Sequence, residues 1–138
     1  MIDPIEFRRV MGHFATGVTV VTTRLPSGEP CGLTASAVCS VSIDPTLILV
    51  CVEHRADSHD CIREAGIFAV NILEEDGGEN ISRRFATLEV ADKFRGVAFR
   101  EERTGAPVLD SSLAWLDCRV SEVLPGGDHT IFLGEVVA

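Results

Sequence analysis

The chain has 138 residues, 46% of them hydrophobic and 24% charged, with a formal net charge of -9 at pH 7. This length and composition fit one folded domain, residues 1–138, and exclude a disordered chain. The acidic balance argues against nucleic acid as a partner, because proteins that bind its phosphate backbone present a basic surface. Two short arginine pairs do not make such a surface: Arg8-Arg9 and Arg83-Arg84.

The first predicted element is a helix over residues 3–14. Asp3 can cap it, Pro4 suits the first helical position, and Glu6 completes a capping-box pattern. The apolar residues of this segment fall on one helical face, which predicts that the face packs against a core: Phe7, Val10, Met11 and Phe14.

Two strands and a third apolar run follow the helix. β-Branched residues predict a strand over 17–23, and the turn at 26–30 predicts a hairpin into a second strand, residues 31–42. Residues 46–52 form an apolar run that does not alternate with polar residues. Such a run predicts a central strand that is buried on both faces.

The next segment predicts a helix and another buried strand. The helix covers residues 58–65, with Asp57 or Ser58 as its cap and Gly66 as its end. The strand covers residues 67–73, and its apolar residues again occupy both faces.

The last third of the chain ends in a predicted hairpin. Residues 80–86 predict one or two helical turns, and no element is assigned to 87–104. Strands over 113–124 and 130–137 are joined by a Pro-Gly-Gly-Asp-His turn at 125–129. The count is about six strands and three short helices, without the regular alternation of a parallel α/β fold. We therefore predict a mainly β fold, a closed or split antiparallel barrel with a few short flanking helices.

Targeting signals and cysteine usage both indicate a cytoplasmic protein without a membrane partner. The N-terminus lacks the pattern of a signal peptide, and no apolar run approaches the roughly 20 residues that cross a bilayer. The five cysteines form no Cys-x-x-Cys pair, which predicts reduced thiols rather than a disulfide framework: Cys31, Cys39, Cys51, Cys61 and Cys118.

Common catalytic motifs are absent from the sequence. It contains no P-loop, no Gly-x-Gly-x-x-Gly after a strand, no Gly-x-Ser-x-Gly and no His-Glu-x-x-His. A zinc site in a metal-dependent hydrolase is an alternative, built from His54, His59, Cys51 and Cys61, but their spacing matches no closed-site pattern. We therefore predict no metal.

The segment 31–45 is rich in small and hydroxyl-bearing residues where a strand is predicted. It leaves room for a flat ligand beside the backbone, and several hydroxyls can donate hydrogen bonds to that ligand: Thr34, Ser36, Ser40 and Ser42. Ser58 and Asn71 are further polar residues in apolar elements, and each needs a partner if it is buried. Backbone groups or a bound polar ring system could supply those partners.

Seven segments occur in a recognisable order: 7–23, 32–36, 40–45, 68–73, 84–86, 92–94 and 127–132. Together they resemble the short-chain NAD(P)H:flavin reductases, the reductase components of two-component flavin-dependent monooxygenases. The resemblance implies the FMN-binding split barrel, an antiparallel Greek-key barrel. It also implies FMN or FAD as cofactor, NADH or NADPH as hydride donor, a homodimer, and a partner monooxygenase that receives the reduced flavin.

The same resemblance implies a set of site residues. The flavin would be bound by Thr34, Ala35, Ser36, Ser40, Cys51, Val52, Ser58, Asn71 and Arg84. Among these, Ser58 would meet the flavin phosphate at a helix N-terminus, and Arg84 would contact the phosphate or the ribityl chain. His129 would lie near the nicotinamide as the catalytic residue.

One departure from the family and one alternative function follow from this comparison. Family members usually continue beyond the strand at 134–137 with a further strand and tail. We therefore expect either that this sequence is shortened and lacks this segment or that the edge is closed differently, for example by the other subunit. The alternative function is a flavin- or heme-binding electron-transfer module of the same fold, without nicotinamide turnover.

Overall fold

The structure is a computed structural model that describes residues 1–87 and 90–138. Its helices are α1 (Pro4–Met11), α2 (Asp57–Ala65), α3 (Gly78–Thr87) and α4 (Val90–Lys93). Its strands are β1 (Thr19–Arg24), β2 (Pro30–Ala35), β3 (Val38–Ile43), β4 (Thr46–Glu53), β5 (Ile67–Ile72), β6 (Phe99–Glu101), β7 (Pro107–Leu109), β8 (Ala114–Gly126) and β9 (His129–Val136). None of the helices in this described part has the length and apolar character needed to traverse a bilayer.

Seven strands form one antiparallel sheet in the order β2-β1-β5-β8-β9-β4-β3, and β6 pairs with β7 in a second, small sheet. The two edge strands of the large sheet, β2 and β3, are consecutive in the chain. Only two residues separate Ala35 from Val38, a link that spans at most about 10 Å. The sheet therefore curls until its edges meet at this point, which confirms the predicted antiparallel split barrel.

The predicted single strand over 31–42 is wrong, because the chain changes edge in the middle of it. The N–H of Val38 donates to the carbonyl of Ser36 across 3.0 Å, which makes a tight turn between β2 and β3. The hairpins β1–β2 and β8–β9 are confirmed, with Thr19 opposite Ala35 and Gly126 opposite His129.

Strand β4 is neither central nor buried on both faces, which corrects the prediction for residues 46–52. It lies next to the edge strand β3, and its buried residues Ile48, Val50 and Val52 alternate with half-buried ones. Only one face of a barrel strand looks into the interior, so an apolar run can still alternate in burial. Strand β5 is buried on both faces, as predicted.

Helix α1 has its predicted cap but not its predicted packing. The Asp3 carboxylate accepts a hydrogen bond of 2.7 Å from the N–H of Ile5, whereas Glu6 pairs with Arg9 instead of closing a capping box. The helix ends at Met11, not at Phe14 as predicted, with Gly12 as its C-cap. No residue of α1 is buried, and Phe7 within it and Phe14 beyond it are 54% and 70% exposed. The helix therefore lies outside the core, with its apolar face toward solvent.

Helix α2 ends as predicted and begins differently. Gly66 ends it in the left-handed conformation, with φ of 68°. Its N-cap is Ala56, whose methyl side chain cannot cap the helix. Ser58, predicted as a cap, lies within the helix and donates its hydroxyl proton to the carbonyl of Gly32 across 2.8 Å. The hydroxyl predicted as a cap thus attaches α2 to β2.

Two apolar clusters hold the fold together. One fills the barrel and includes Val50, Phe68 and Phe132, and the other joins α3 and α4 to the outside of the barrel through Phe85 and Phe94. The Phe85 and Phe94 rings meet edge to face, with centroids 5.0 Å apart. The second cluster places α3 and α4 beside β2.

We expect the substitution Gly134→Ala to destabilise the barrel by about 1–3 kcal/mol, the usual range for overpacking a filled core. A Cβ atom on Gly134 would lie 2.4 Å from the Phe68 ring and 3.1 Å from Cβ of Cys118. Urea unfolding measures the change. Gly17→Ala is the control, since nothing lies within 4 Å of its Cβ position. Equal stability of the two variants would contradict this packing.

Candidate functional site

A cleft of about 520 Å³ opens beside the turn between β2 and β3. Five parts of the chain contribute to its walls: the end of β2 with the following turn, β4, the approach to α2, the end of α3 with Lys93, and the start of β9. The lining residues are Leu33, Thr34, Ala35, Ser36, Ala37, Cys51, Glu53, Arg55, Ala56, Asp57, Phe85, Ala86, Thr87, Lys93 and His129. The volume lies in the range of small-molecule and cofactor sites.

The wall formed by residues 34–37 presents small side chains and backbone to the cleft. The hydroxyl of Thr34 donates to the carbonyl of Ser82 across 2.5 Å, and the hydroxyl of Thr19 donates to the carbonyl of Ala35 across 2.7 Å. These bonds attach the wall to α3 and to β1, while Ser36 and Ala37 are exposed. The wall is therefore held in place, and its small side chains leave room for a planar ring to lie against the backbone.

The opposite end of the cleft suits an anion. Helix α2 begins there, and Ala56 offers it no capping side chain. The N–H of His59 donates to the carbonyl of Ala56 across 3.0 Å, so the first-turn N–H groups that a ligand acceptor could meet are those of Asp57 and Ser58. The Arg55 guanidinium is 87% exposed and pairs with Glu53 at 3.0 Å. Sequence reasoning missed Arg55, although an arginine just before a helix start was a usable signal.

Lys93 brings a second positive charge to the cleft from the side of α4. The residue is 6% exposed, and its Nζ donates to the carbonyl of Gly32 across 2.9 Å. A lysine buried this deeply lies in a fixed position rather than moving with solvent. The sequence offered a weak signal for it, the segment Asp-Lys-Phe at 92–94, which was not assigned a role.

His129 stands at the rim of the cleft on the first residue of β9. Its side chain is 41% exposed, and its Nδ1 lies 2.6 Å from an Asp128 carboxylate oxygen. The hydrogen bond with His129 holds the pKa of the Asp128 carboxyl below its ordinary value. Asp128 therefore remains ionised near neutral pH and fixes the orientation of the ring.

The thiol in the cleft is not activated as a nucleophile. Burial raises the pKa of the Cys51 thiol, and the neighbouring Cys39 raises it further. The protonated form therefore dominates at neutral pH. In the described part of the chain, no group of three or more histidine, cysteine, aspartate or glutamate residues could hold a metal ion.

The structure brings five of the ten predicted site residues to this cleft: Thr34, Ala35, Ser36, Cys51 and His129. Ser40 lines another pocket, of about 240 Å³, together with Gly17 and Val70. Val52 is predicted to contact the flavin through its backbone; it directly follows Cys51 on β4, and its side chain is buried in the barrel core.

Two of the predicted flavin contacts, Ser58 and Asn71, make hydrogen bonds inside the fold. Ser58 is fully buried with its hydroxyl on Gly32, as described above. The Asn71 amide donates to the carbonyl of Val20 at 2.9 Å and to the Thr22 hydroxyl at 3.0 Å, and its oxygen accepts from the N–H of Leu109 at 2.8 Å. Backbone groups, together with the Thr22 hydroxyl, thus supply partners for both residues.

Arg84 supports the loop after α4 and does not line the cleft. Its guanidinium donates to the carbonyls of Asp92 and Lys93, at 2.9 and 2.8 Å, and to the carbonyl of Arg95. It borders a neighbouring groove that also includes Thr87. Because Arg84 bonds the backbone of Lys93, it helps to place the lysine that does reach the cleft.

Comparison with known proteins agrees with this cleft. Residues 11–138 match the family model of the flavin reductase like domain. The chain belongs to this family. Over its whole length it is 47% identical to a flavin reductase (NADH) of Kitasatospora aureofaciens, of which it covers 72%. It is also 46% identical, over 99% of its length, to the reductase component of a 4-nitrophenol 4-monooxygenase/4-nitrocatechol 2-monooxygenase of Rhodococcus opacus, of which it covers 71%.

Solved structures of the family share the fold. The NADH:FAD oxidoreductase SgcE6 of Streptomyces globisporus C-1027 superposes on all of this chain with a TM-score of 0.91 at 42% identity, and the chain covers 84% of it. The same oxidoreductase is known in complex with NAD and FAD fragments, with a TM-score of 0.90 at 43% identity. The family and the split barrel expected from the sequence motifs are confirmed.

We expect Asn71→Ala to lower the free energy of unfolding by about 2–4 kcal/mol, because three buried hydrogen bonds are lost together. Urea unfolding measures the loss, and flavin titration of the folded protein should give an unchanged affinity. Asn80→Ala is the control, since Asn80 is exposed on α3. Normal stability of Asn71→Ala with weakened flavin binding would instead make Asn71 a flavin contact.

Proposed function

We propose that this chain is an NAD(P)H:flavin oxidoreductase, which transfers hydride from NADH or NADPH to FMN or FAD. The observation that carries the proposal is the cleft itself, in which a low wall of small residues faces an anion-binding helix start. Membership of the flavin reductase like family supports it, as do the relatives that are named NADH-dependent reductases of flavin.

Flavin fits the donor groups of the cleft. A planar ring can lie along residues 34–37, and the flavin phosphate can bind at the start of α2 beside Arg55 and Lys93. A bound flavin supplies the redox chemistry as hydride acceptor. The role of the protein residues is to orient the ring and to neutralise the phosphate, which explains why the cleft needs no activated nucleophile.

We assign His129 to the nicotinamide side of the cleft. Its ring is half exposed and oriented by Asp128, so it can contact a second planar ligand above the ring that lies on residues 34–37. In this role His129 contacts the hydride donor, and the flavin ring is bound by residues 34–37.

The reduced flavin is proposed to pass to a partner flavin-dependent monooxygenase. Relatives at 39% to 46% identity are named reductase components or subunits of such monooxygenases. All five cysteines in the structure are free, which supports the cytoplasm as the compartment in which this transfer occurs.

We further propose that a second copy of the chain covers the apolar face of α1, giving a homodimer. This face carries Phe7, Val10 and Met11, and Phe14 follows just beyond the helix; each of the four is at least 49% exposed. A contiguous apolar face of this kind indicates an interaction surface.

Turnover of the purified chain tests the proposed function. Each of FMN and FAD is combined with NADH or NADPH, and nicotinamide oxidation is followed by absorbance. We expect flavin-dependent oxidation, and we expect His129→Ala to lower kcat/KM for the nicotinamide by about ten- to hundredfold while flavin affinity is retained. Flavin binding without oxidation in any of the four pairs would contradict the enzyme and favour the electron-transfer module.

Light scattering during size-exclusion chromatography tests the dimer. We expect the wild-type chain to elute as a dimer and Val10→Glu to shift it toward monomer, since an acid is placed within the apolar face of α1. Arg8→Glu is the control, because it places the same glutamate at an exposed polar position of α1 and changes the net charge more than Val10→Glu does. A wild-type monomer at micromolar concentration would contradict the proposal.

A further inference from the structure

His59 on α2 is a buried histidine with both ring nitrogens engaged. Its side chain is 6% exposed, its Nδ1 lies 2.9 Å from a carboxylate oxygen of Asp60, and its Nε2 lies 2.7 Å from the hydroxyl oxygen of Thr130. The ring also packs against those of Phe132 and His54, with centroids 5.7 and 5.2 Å away. These contacts fix the imidazole in one orientation.

Thr130, the partner of His59, directly follows His129 on β9. It is 3% exposed and lies opposite Val52 of β4. Because side chains alternate along a strand, Thr130 faces the packed side next to α2 while His129 faces the cleft. The bond between His59 and Thr130 therefore attaches α2 to the backbone one residue away from His129.

A second contact holds the other side of His129. The N–H of His54, in the segment between β4 and α2, donates to the carbonyl of Asp128 across 2.9 Å. Both neighbours of His129 are thus bonded to the part of the chain that runs from β4 into α2. The same part lines the cleft through Arg55, Ala56 and Asp57. These two contacts add to the pairing of His129 itself with Glu53 of β4, and they attach the residues on both sides of His129 to the chain that leads into α2.

We propose that His59 and Thr130 are positioning residues that hold His129 at the nicotinamide side of the cleft. The proposal rests on the function assigned above to His129. Neither residue lines the cleft, so both act through the backbone and ring of His129 rather than on a ligand. The group that matters is the Thr130 hydroxyl, because it forms the bond between the two elements.

Isosteric variants separate positioning from general stability. Thr130→Val removes the hydroxyl and keeps the shape, whereas Thr130→Ser keeps the hydroxyl. Thr23→Val is the control, because it removes an equally buried threonine hydroxyl bond, that to the Ile67 carbonyl at 2.7 Å, far from His129 in the sheet order. All variants are compared at a temperature where they are fully folded.

We expect Thr130→Val to raise the KM for the nicotinamide by about three- to tenfold, the fold-change of one net hydrogen bond, with the flavin dissociation constant within about twofold of wild type. Thr130→Ser should restore the wild-type KM, and Thr23→Val should leave it unchanged. An unchanged KM in Thr130→Val, or an equal rise in Thr23→Val, would overturn the proposal.

Nuclear magnetic resonance of the histidine rings gives a readout that needs no ligand. In the ligand-free chain, the ring signals of His129 should shift in Thr130→Val and stay near their wild-type positions in Thr130→Ser, which also replaces the neighbour of His129 but keeps the hydroxyl. Unmoved His129 signals in Thr130→Val would overturn the positioning role. If the wild-type chain reduces no flavin, the proposed function fails, and these signals still decide whether Thr130 positions His129.

Discussion

The carbonyl and the missing side chain of Gly32 determine where the cleft forms. The carbonyl oxygen accepts hydrogen bonds from the Ser58 hydroxyl and from Nζ of Lys93, so α2 and α4 both attach to one residue of β2. A Cβ atom at Gly32 would lie 2.8 Å from the Phe85 ring, so α3 approaches the same residue at a distance that only glycine allows. Three helices converge on β2 at this point. The chain then continues directly into the wall of small residues at 34–37, which places that wall among all three helices.

The way the barrel closes gives this wall its exposure. The chain leaves β2 at one edge of the sheet and enters β3 at the other, so the turn at Ser36 and Ala37 lies at the split rather than inside the sheet. Backbone at a split is open to a ligand, whereas backbone in the middle of a sheet is covered by neighbouring strands. The start of α2 and His129 on β9 lie along the same opening. The split between β2 and β3 therefore accounts for three parts of the cleft: the wall at residues 34–37, the end at the start of α2, and the position of His129.

Local signals in the sequence predicted many helix and strand ends of this fold, whereas features that depend on contacts between distant parts of the chain were missed. Gly66 ended α2 and Asp3 capped α1 as expected, because both effects act within one helical turn. The burial of α1 was predicted wrongly, since an amphipathic pattern indicates that a face is covered but not by what. The division of residues 31–42 between two edges was missed because no single residue there breaks a strand.

Polar residues in apolar segments were correctly recognised as needing partners, and backbone groups, one of the two alternatives, supply most of them, although the sequence did not identify which groups. Asn71 bonds groups 38 to 51 positions away in the chain, and Ser58 bonds a carbonyl 26 positions away. A local sequence pattern does not predict which groups meet over such separations. Family motifs located Thr34, Ala35 and Ser36 at the cleft because that wall is continuous in the chain. Arg55 and Lys93 had only local signals in the sequence, and their common place in the cleft became visible when separate elements were brought together.

A structure of the chain with bound flavin tests the central claim most directly. The account predicts that the isoalloxazine ring lies against residues 34–37, that the phosphate binds at the start of α2 beside Arg55, and that the His129 ring faces the exposed side of the flavin. Flavin bound outside this cleft, for example in the groove between α3 and residues 96–98, would contradict it.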